Sequence, residues 1–281
     1  MIVRSTAPRK YVDFGIKVIS SLSAFLGIVI LAWILYEVIR RGSAALNRSF
    51  FLHLPAPPGI AGGGVANAIL GTSMITLLAT LAGVPIGLLA GVYLAEFGQH
   101  TRLGTFVRFT SNVMMGIPSI IVGLFVYTLL VLPWHHFSGY AGAASLAIIM
   151  LPIVARTTED MLRLVPNALR ESALALGAPR WKATMGVVFR AAKTGLITGV
   201  LLAIARVSGE TAPLLFTSLN SPFWPKSLSQ PTANLTVTIF NYAMSPYSKW
   251  QETAWGASLL IMAAVLALTV VARFILKEAK K

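Results

Sequence analysis

Apolar residues in this chain come in long runs, and the charged residues collect at the ends of those runs. A helix that crosses a bilayer needs about 20 mostly apolar residues. The pattern predicts six such segments, at roughly 16–38, 68–95, 109–132, 141–157, 195–217 and 254–275. The third and fourth share one tract without Asp, Glu, Lys or Arg, from Phe109 to Ala155. Leu132-Pro133-Trp134-His135-His136-Phe137-Ser138-Gly139 divides it, with Pro133 and Gly139 suited to a turn and Trp134 and Phe137 to an interface. The basic start followed by an apolar run has the outline of a signal peptide. However, Val18–Tyr36 is longer than an ordinary signal core, and Glu37, Arg40 and Arg41 follow it, so it reads as an uncleaved first membrane helix.

Composition agrees with lipid as the solvent. Of the 281 residues 56% are hydrophobic and 11% charged, where soluble domains carry about a quarter charged. Lys and Arg total 23 against 9 Asp and Glu, a balance also seen in nucleic-acid binders. Here the basic residues form no patch interleaved with aromatics, which excludes that class. They sort by side instead. With the N-terminus inside, 17 lie at cytoplasmic ends and 5 in outer loops, while Arg206 falls within a segment. The positive-inside rule then puts both termini in the cytoplasm. There is no cysteine, so disulfides and thiolate metal sites are excluded.

Covalent chemistry has little to stand on. The chain has no G-x-x-x-x-G-K-[ST] loop for ATP and no His, Asp and Glu cluster with metal spacing. His135 and His136 are adjacent in an outer turn and read as surface histidines, and Ser119 has no nearby His to activate it. No cofactor is expected.

The inner loop, 158–193, is basic and patterned. Pro166 suits the start of a helix, Val165, Leu169, Ala173 and Leu176 make one apolar stripe, and Gly177-Ala178-Pro179 ends it. Trp181, Met185 and Val188 begin a second stripe. The first stripe is covered either by the bundle's own base and lipid headgroups or by another protein's groove. Within it, Glu171-Ser172-Ala173, three residues and Gly177 resemble the E-A-A-x-x-x-G loop of ABC importer permeases. The resemblance implies a coupling helix seated on a cytoplasmic ATPase, through Glu171, Ser172, Ala173 and Gly177. Farther on, Val187 fits the family pattern, but Phe189 and Arg190 stand where Leu-Pro is usual.

The fifth segment carries Arg206 about 11 residues in, about 16 Å at about 1.5 Å per residue. Placing Arg there costs a few kcal/mol or more (about 3 on insertion scales). Glu210 is four residues on, which a continuous helix would put on the same face. Two readings are open: an internal ion pair that packs helices, or a polar pathway in which Arg206 offers its planar fork to an oxyanion and Glu210 tempers it. Ser208 and Thr211 join the candidate lining.

The run from Ala205 to Phe216, ARVSGETAPLLF, resembles the A-type permeases of bacterial phosphate importers, the PstA family. Gly83–Glu96 and Gly116–Phe125 are similar to that family's second and third segments, and the likeness extends over residues 66 to 275. It implies an all-α fold of six membrane helices with the MetI-like core of type I ABC importers. The division expected is 1–67 for the first helix and its flanks, 68–275 for the transport core, and 276–281 for a cytoplasmic tail. It also implies an inner-membrane location, a second, C-type permease subunit, two cytoplasmic ATPase subunits, an external phosphate-binding protein, and phosphate as cargo. Sulfate or molybdate permeases are the near alternative, since Arg alone does not separate tetrahedral anions. An ion-driven secondary transporter is the far one, and it would usually show an inverted repeat. Gly83, Gly87 and Gly91 recur every four residues, a spacing that lets another helix approach, and Pro85 and Pro118 permit bends.

Overall fold

The computed structural model describes residues 7–60 and 62–278, which are mostly helical with no strand among them. Of the basic residues used to orient the chain, Arg4, Lys280 and Lys281 lie outside the described residues. The helices are α1 (Ala7–Gly42), α2 (Arg48–Leu52), α3 (Ala66–Val92), α4 (Arg102–Gly116), α5 (Ser119–Val126), α6 (Leu132–Trp134), α7 (Gly139–Arg163), α8 (Asn167–Ala175), α9 (Arg180–Ala183), α10 (Phe189–Ser208), α11 (Ala212–Thr217), α12 (Leu235–Ala243) and α13 (Ser248–Glu278). Wide π-turns at Tyr93–Phe97, Tyr127–Val131 and Thr184–Val188 carry α3, α5 and α9 onward.

Among the described residues, five helices are long and apolar enough to cross a membrane. A sixth crossing is the pair Arg102–Gly116 and Ser119–Trp134, bent by 103°. The third expected segment is therefore a broken one. Pro118 supplies the reason: it has no N–H for the helix ladder and disfavours helical backbone at Ile117, which is extended (φ −74°, ψ 130°). The fifth expected segment also changes. It starts earlier, because Phe189 and Arg190, in place of Leu-Pro, let the helix run on from Arg180 through the π-turn to Ser208. It then stops at Gly209 and resumes as the short α11, with Pro213 in its first turn.

The core is built around α7. Leu146, Met150 and Val154 pack with Ile75 and Ala79 of α3, Ala203 and Val207 of α10, Leu214 of α11 and Val237 of α12. Gly83, Gly87 and Gly91 form the contact face of α3. A Cβ on Gly91 would stand 2.5 Å from the Ala155 carbonyl oxygen, and one on Gly87 2.7 Å from the Val154 Cβ. Helices gain nothing from water exclusion inside lipid, so close backbone approach and dispersion hold this pair together. The long 218–252 loop is partly ordered by α12. Asn234 caps it by accepting from the Val237 amide at 2.9 Å, and the Leu235 amide donates to the Thr72 hydroxyl of α3 at 2.8 Å. By contrast, α1 meets the rest near its C-terminal end, where Gly42 lies against the Trp255 carbonyl and Leu259 of α13.

Candidate translocation pathway and coupling loop

Arg206 and Glu210 open on one cavity of about 440 Å³, whose other lining includes Met114, Ile117, Pro118, Ser119, Ile149 and Ile153. Two breaks and one helix wall make this space. The α4–α5 kink supplies Ile117 to Ser119, α7 forms one wall, and the α10 terminus with the Gly209–Thr211 break supplies the two charged residues. The N-terminal end of α5 borders the same space through Pro118, Ser119 and Val122, and its Ile121 amide donates back to the Pro118 carbonyl at 2.9 Å. The short α11 is held against α5 by close approach of Pro213 to Gly123.

The expected pairing of the two charges is corrected by the structure. Arg206 sits in the last turn of α10 and not midway along a helix. Glu210 lies beyond the helix end, so four residues no longer bring the side chains together. Among the described residues, Arg206 makes no side-chain hydrogen bond or ion pair, and Glu210 is anchored only through its backbone. The Glu210 amide donates to the Val207 carbonyl at 3.1 Å, and the Glu210 carbonyl accepts from the Thr236 hydroxyl at 2.8 Å. Ser208 and Thr211 do not line this cavity. The Ser208 hydroxyl donates to the Ala205 carbonyl at 2.9 Å, and Thr211 begins α11.

The loop with the coupling signature folds as α8, a bend and α9. The first stripe divides on folding. Val165 and Ala173 are buried, but Leu169 remains 42% and Leu176 89% exposed, with Trp181 and Met185 also open. Gly177 takes a left-handed φ of 80°, and the Ala178 amide donates to the Ala173 carbonyl at 3.2 Å, which closes the end of α8. No atom stands within 4 Å of a Cβ built on Gly177, so its need is conformational. Glu171 and Ser172 are exposed, and the Ser172 hydroxyl donates back to the Ala168 carbonyl at 2.7 Å.

Two charged clusters here were not foreseen. Glu159 is fully buried, 2.7 Å from Arg108 of α4 and 2.7 Å from Arg163, with Arg156 at 3.3 Å. The Arg156-x-x-Glu159-Asp160-x-x-Arg163 spacing was a readable i,i+3 and i,i+4 pattern, hidden by ending the fourth segment at its first charge. Arg170 of α8 reaches Glu96, in the π-turn after α3, at 2.8 Å. Their separation of 74 residues leaves no local signal.

A family model, the binding-protein-dependent transport system inner membrane component, matches residues 83–278. Among curated proteins, the chain is 48% identical over 263 residues to the phosphate transport system permease protein PstA of Yersinia pestis, covering 94% of this chain and 89% of that one. The corresponding protein of Haemophilus influenzae is 47% identical, with 93% of each chain covered. The chain belongs to this family, in its PstA branch. As such it is a multi-pass permease subunit of an inner-membrane ABC importer and not itself an enzyme. A more distant relative, the probable PstA of Methanocaldococcus jannaschii, is 39% identical over 77% of each chain. In fold, the permease is similar to a chain of the inward-facing MetNI methionine ABC transporter, with TM-score 0.65 and 19% identity over 76% of this chain and 95% of that one. It is also similar to a chain of an amino acid ABC transporter, with TM-score 0.54 and 17% identity over 75% and 94%.

Proposed function

We propose that this permease carries inorganic phosphate inward as one half of a heterodimeric pathway. A C-type permease supplies the other half, two cytoplasmic ATPases the energy, and an external phosphate-binding protein the cargo. The termini are cytoplasmic, in keeping with the distribution of Lys and Arg. The observation that carries the reading is Arg206, an exposed guanidinium that has no partner among the described residues and lines a cavity on the face of a membrane bundle. An unpaired Arg there is costly unless water or an anion reaches it, and its fork matches two oxygens of a tetrahedral oxyanion. The Glu210 carboxylate borders the same cavity without neutralising Arg206. It repels an anion and so favours release, as a transport site requires. Membrane lipid surrounds the remaining apolar faces.

The exposed Leu169 and Leu176 beside the Gly177 turn give the ATPase a surface to grip. ATP binding and hydrolysis then move this loop, and the broken α4–α5 and α10–α11 segments pass that motion to the cavity. The test is radiolabelled phosphate uptake by the assembled transporter. Arg206→Gln should lower uptake at least about tenfold, the equivalent of about 1.4 kcal/mol, while the subunits still copurify. Arg206→Lys should recover only part of it, because an ammonium lacks the fork. Normal uptake by Arg206→Gln would reject the pathway role. Sulfate carried as well as phosphate by the wild-type complex would favour the broader oxyanion reading.

A further inference from the structure

The Arg170 guanidinium has five N–H donors, and all five have acceptors. The Nε donates to both Glu96 carboxylate oxygens at 3.1 and 3.3 Å. Nη2 donates to Glu96 Oε1 at 2.8 Å and to the Leu162 carbonyl at 2.7 Å. Nη1 donates to the Val165 carbonyl at 2.6 Å and the Asn167 side-chain oxygen at 3.2 Å. The acceptors belong to four places: the π-turn that ends α3, the last turn of α7, the linker after it, and the start of α8. The side chains of Arg170 and Glu96 are only 18% and 10% exposed. They stand at the edge of a cavity of about 410 Å³ between the π-turn after α3 with the linker that follows it, α8, and α9 with the π-turn after it.

One residue earlier than Glu171, Arg170 is thus the polar tie between α8 and the membrane core. The apolar tie is thin by comparison, because α8 buries only Ala173. Leu162, Val165 and Val188 form a separate small cluster above it with Ala95, the neighbour of Glu96. Besides the short linker from α7 and the packing of α8 on the Thr184–Val188 π-turn, Arg170 is the side-chain link from α8 to the α3–α7 pair, which is locked at Gly91.

We propose that Arg170 and Glu96 form a positioning clamp that transmits movement of α8 to the α3–α7 core. This rests on the reading of α8 as the ATPase contact. A looser clamp lets α8 follow the ATPase while the core stays behind, so ATP is hydrolysed without matching transport. The fork is essential to the geometry, since Lys has three donors that cannot hold Glu96 and both carbonyls in one plane.

The experiment uses the whole transporter in proteoliposomes and reads phosphate moved per ATP hydrolysed. Arg170→Gln and Glu96→Gln should each lower that ratio about tenfold, within the range of about 5–150-fold typical of coupling between sites. The double variant should lose no more than either single one, as expected when both remove the same link. Arg170→Lys should fall between. A bare folding defect would lower the amount of complex and leave the ratio per complex unchanged. If Arg170→Gln does not assemble, Glu96→Gln and Arg170→Lys carry the measurement. In parallel, Leu176→Cys is cross-linked to the ATPase in otherwise unaltered transporter. A cross-link with an unchanged ratio in the clamp variants overturns the clamp alone. No cross-link overturns the reading of α8 and the clamp with it.

Discussion

Helices α1 and α7 teach opposite lessons about hydropathy. The run containing α1 is the most apolar of the five continuous membrane spans among the described residues, yet none of its most apolar stretch is buried within the chain. The run of α7 is the least apolar of these five, and 56% of its corresponding stretch is buried. In water, apolarity and burial go together. In a bilayer, lipid satisfies an apolar side chain as well as protein does, so hydropathy marks contact with lipid. Close packing is marked by small residues, and polar groups mark where helices must meet. The glycines make the same distinction. Gly83, Gly87 and Gly91 of α3 meet α7 backbone and Cβ atoms, whereas Gly15 and Gly27 of α1 have nothing within 4 Å.

The sharpest test of this contrast is Glu159→Ala in α7. It leaves Arg108, Arg156 and Arg163 around an empty buried site. It should cost about 3 kcal/mol, the lower end for breaking a buried pair, because Arg156 and Arg163 reach solvent. Thermal unfolding of the purified protein in detergent measures this, and an unchanged midpoint would mean the cluster does not stabilise α7. Gly91→Ala should come next. Its methyl would overlap the Ala155 carbonyl and Thr158, at a cost of about 1–3 kcal/mol by overpacking, read by the same unfolding curve. Gly177→Ala should cost about 1–2 kcal/mol through left-handed backbone strain alone, visible as faster proteolysis within the 158–193 loop. Smallest of all, Gly27→Ala should be neutral or stabilise by at most about 1 kcal/mol. A large loss at Gly27 in the isolated chain would break the contrast between the two helices.

Much of the fold could be read along the chain. The six apolar runs, the glycine face of α3, the bend at Pro118 and the patterned 158–193 loop were all legible, because each depends on neighbours within a few turns. The site was legible in part. Arg206 and Glu210 were identified as the charged pair to watch, and they share a cavity. Their supposed same-face pairing assumed an unbroken helix, although Gly209 and Pro213 flanked the point of failure. Glu159 had been assigned to a loop because charge was taken to end a span. The Arg170–Glu96 clamp and the Thr236–Glu210 hydrogen bond were beyond reach, since no local pattern joins residues so far apart.

The order of residues decides which stretches enter lipid and which ends stay outside, because transfer into a bilayer is a free energy summed locally over about 20 residues. Folding in three dimensions decided where those stretches break, which charges are neutralised and which guanidinium is left facing a cavity. Those outcomes depend on groups brought together from separate helices, and a buried charge is tolerated only where its partners arrive.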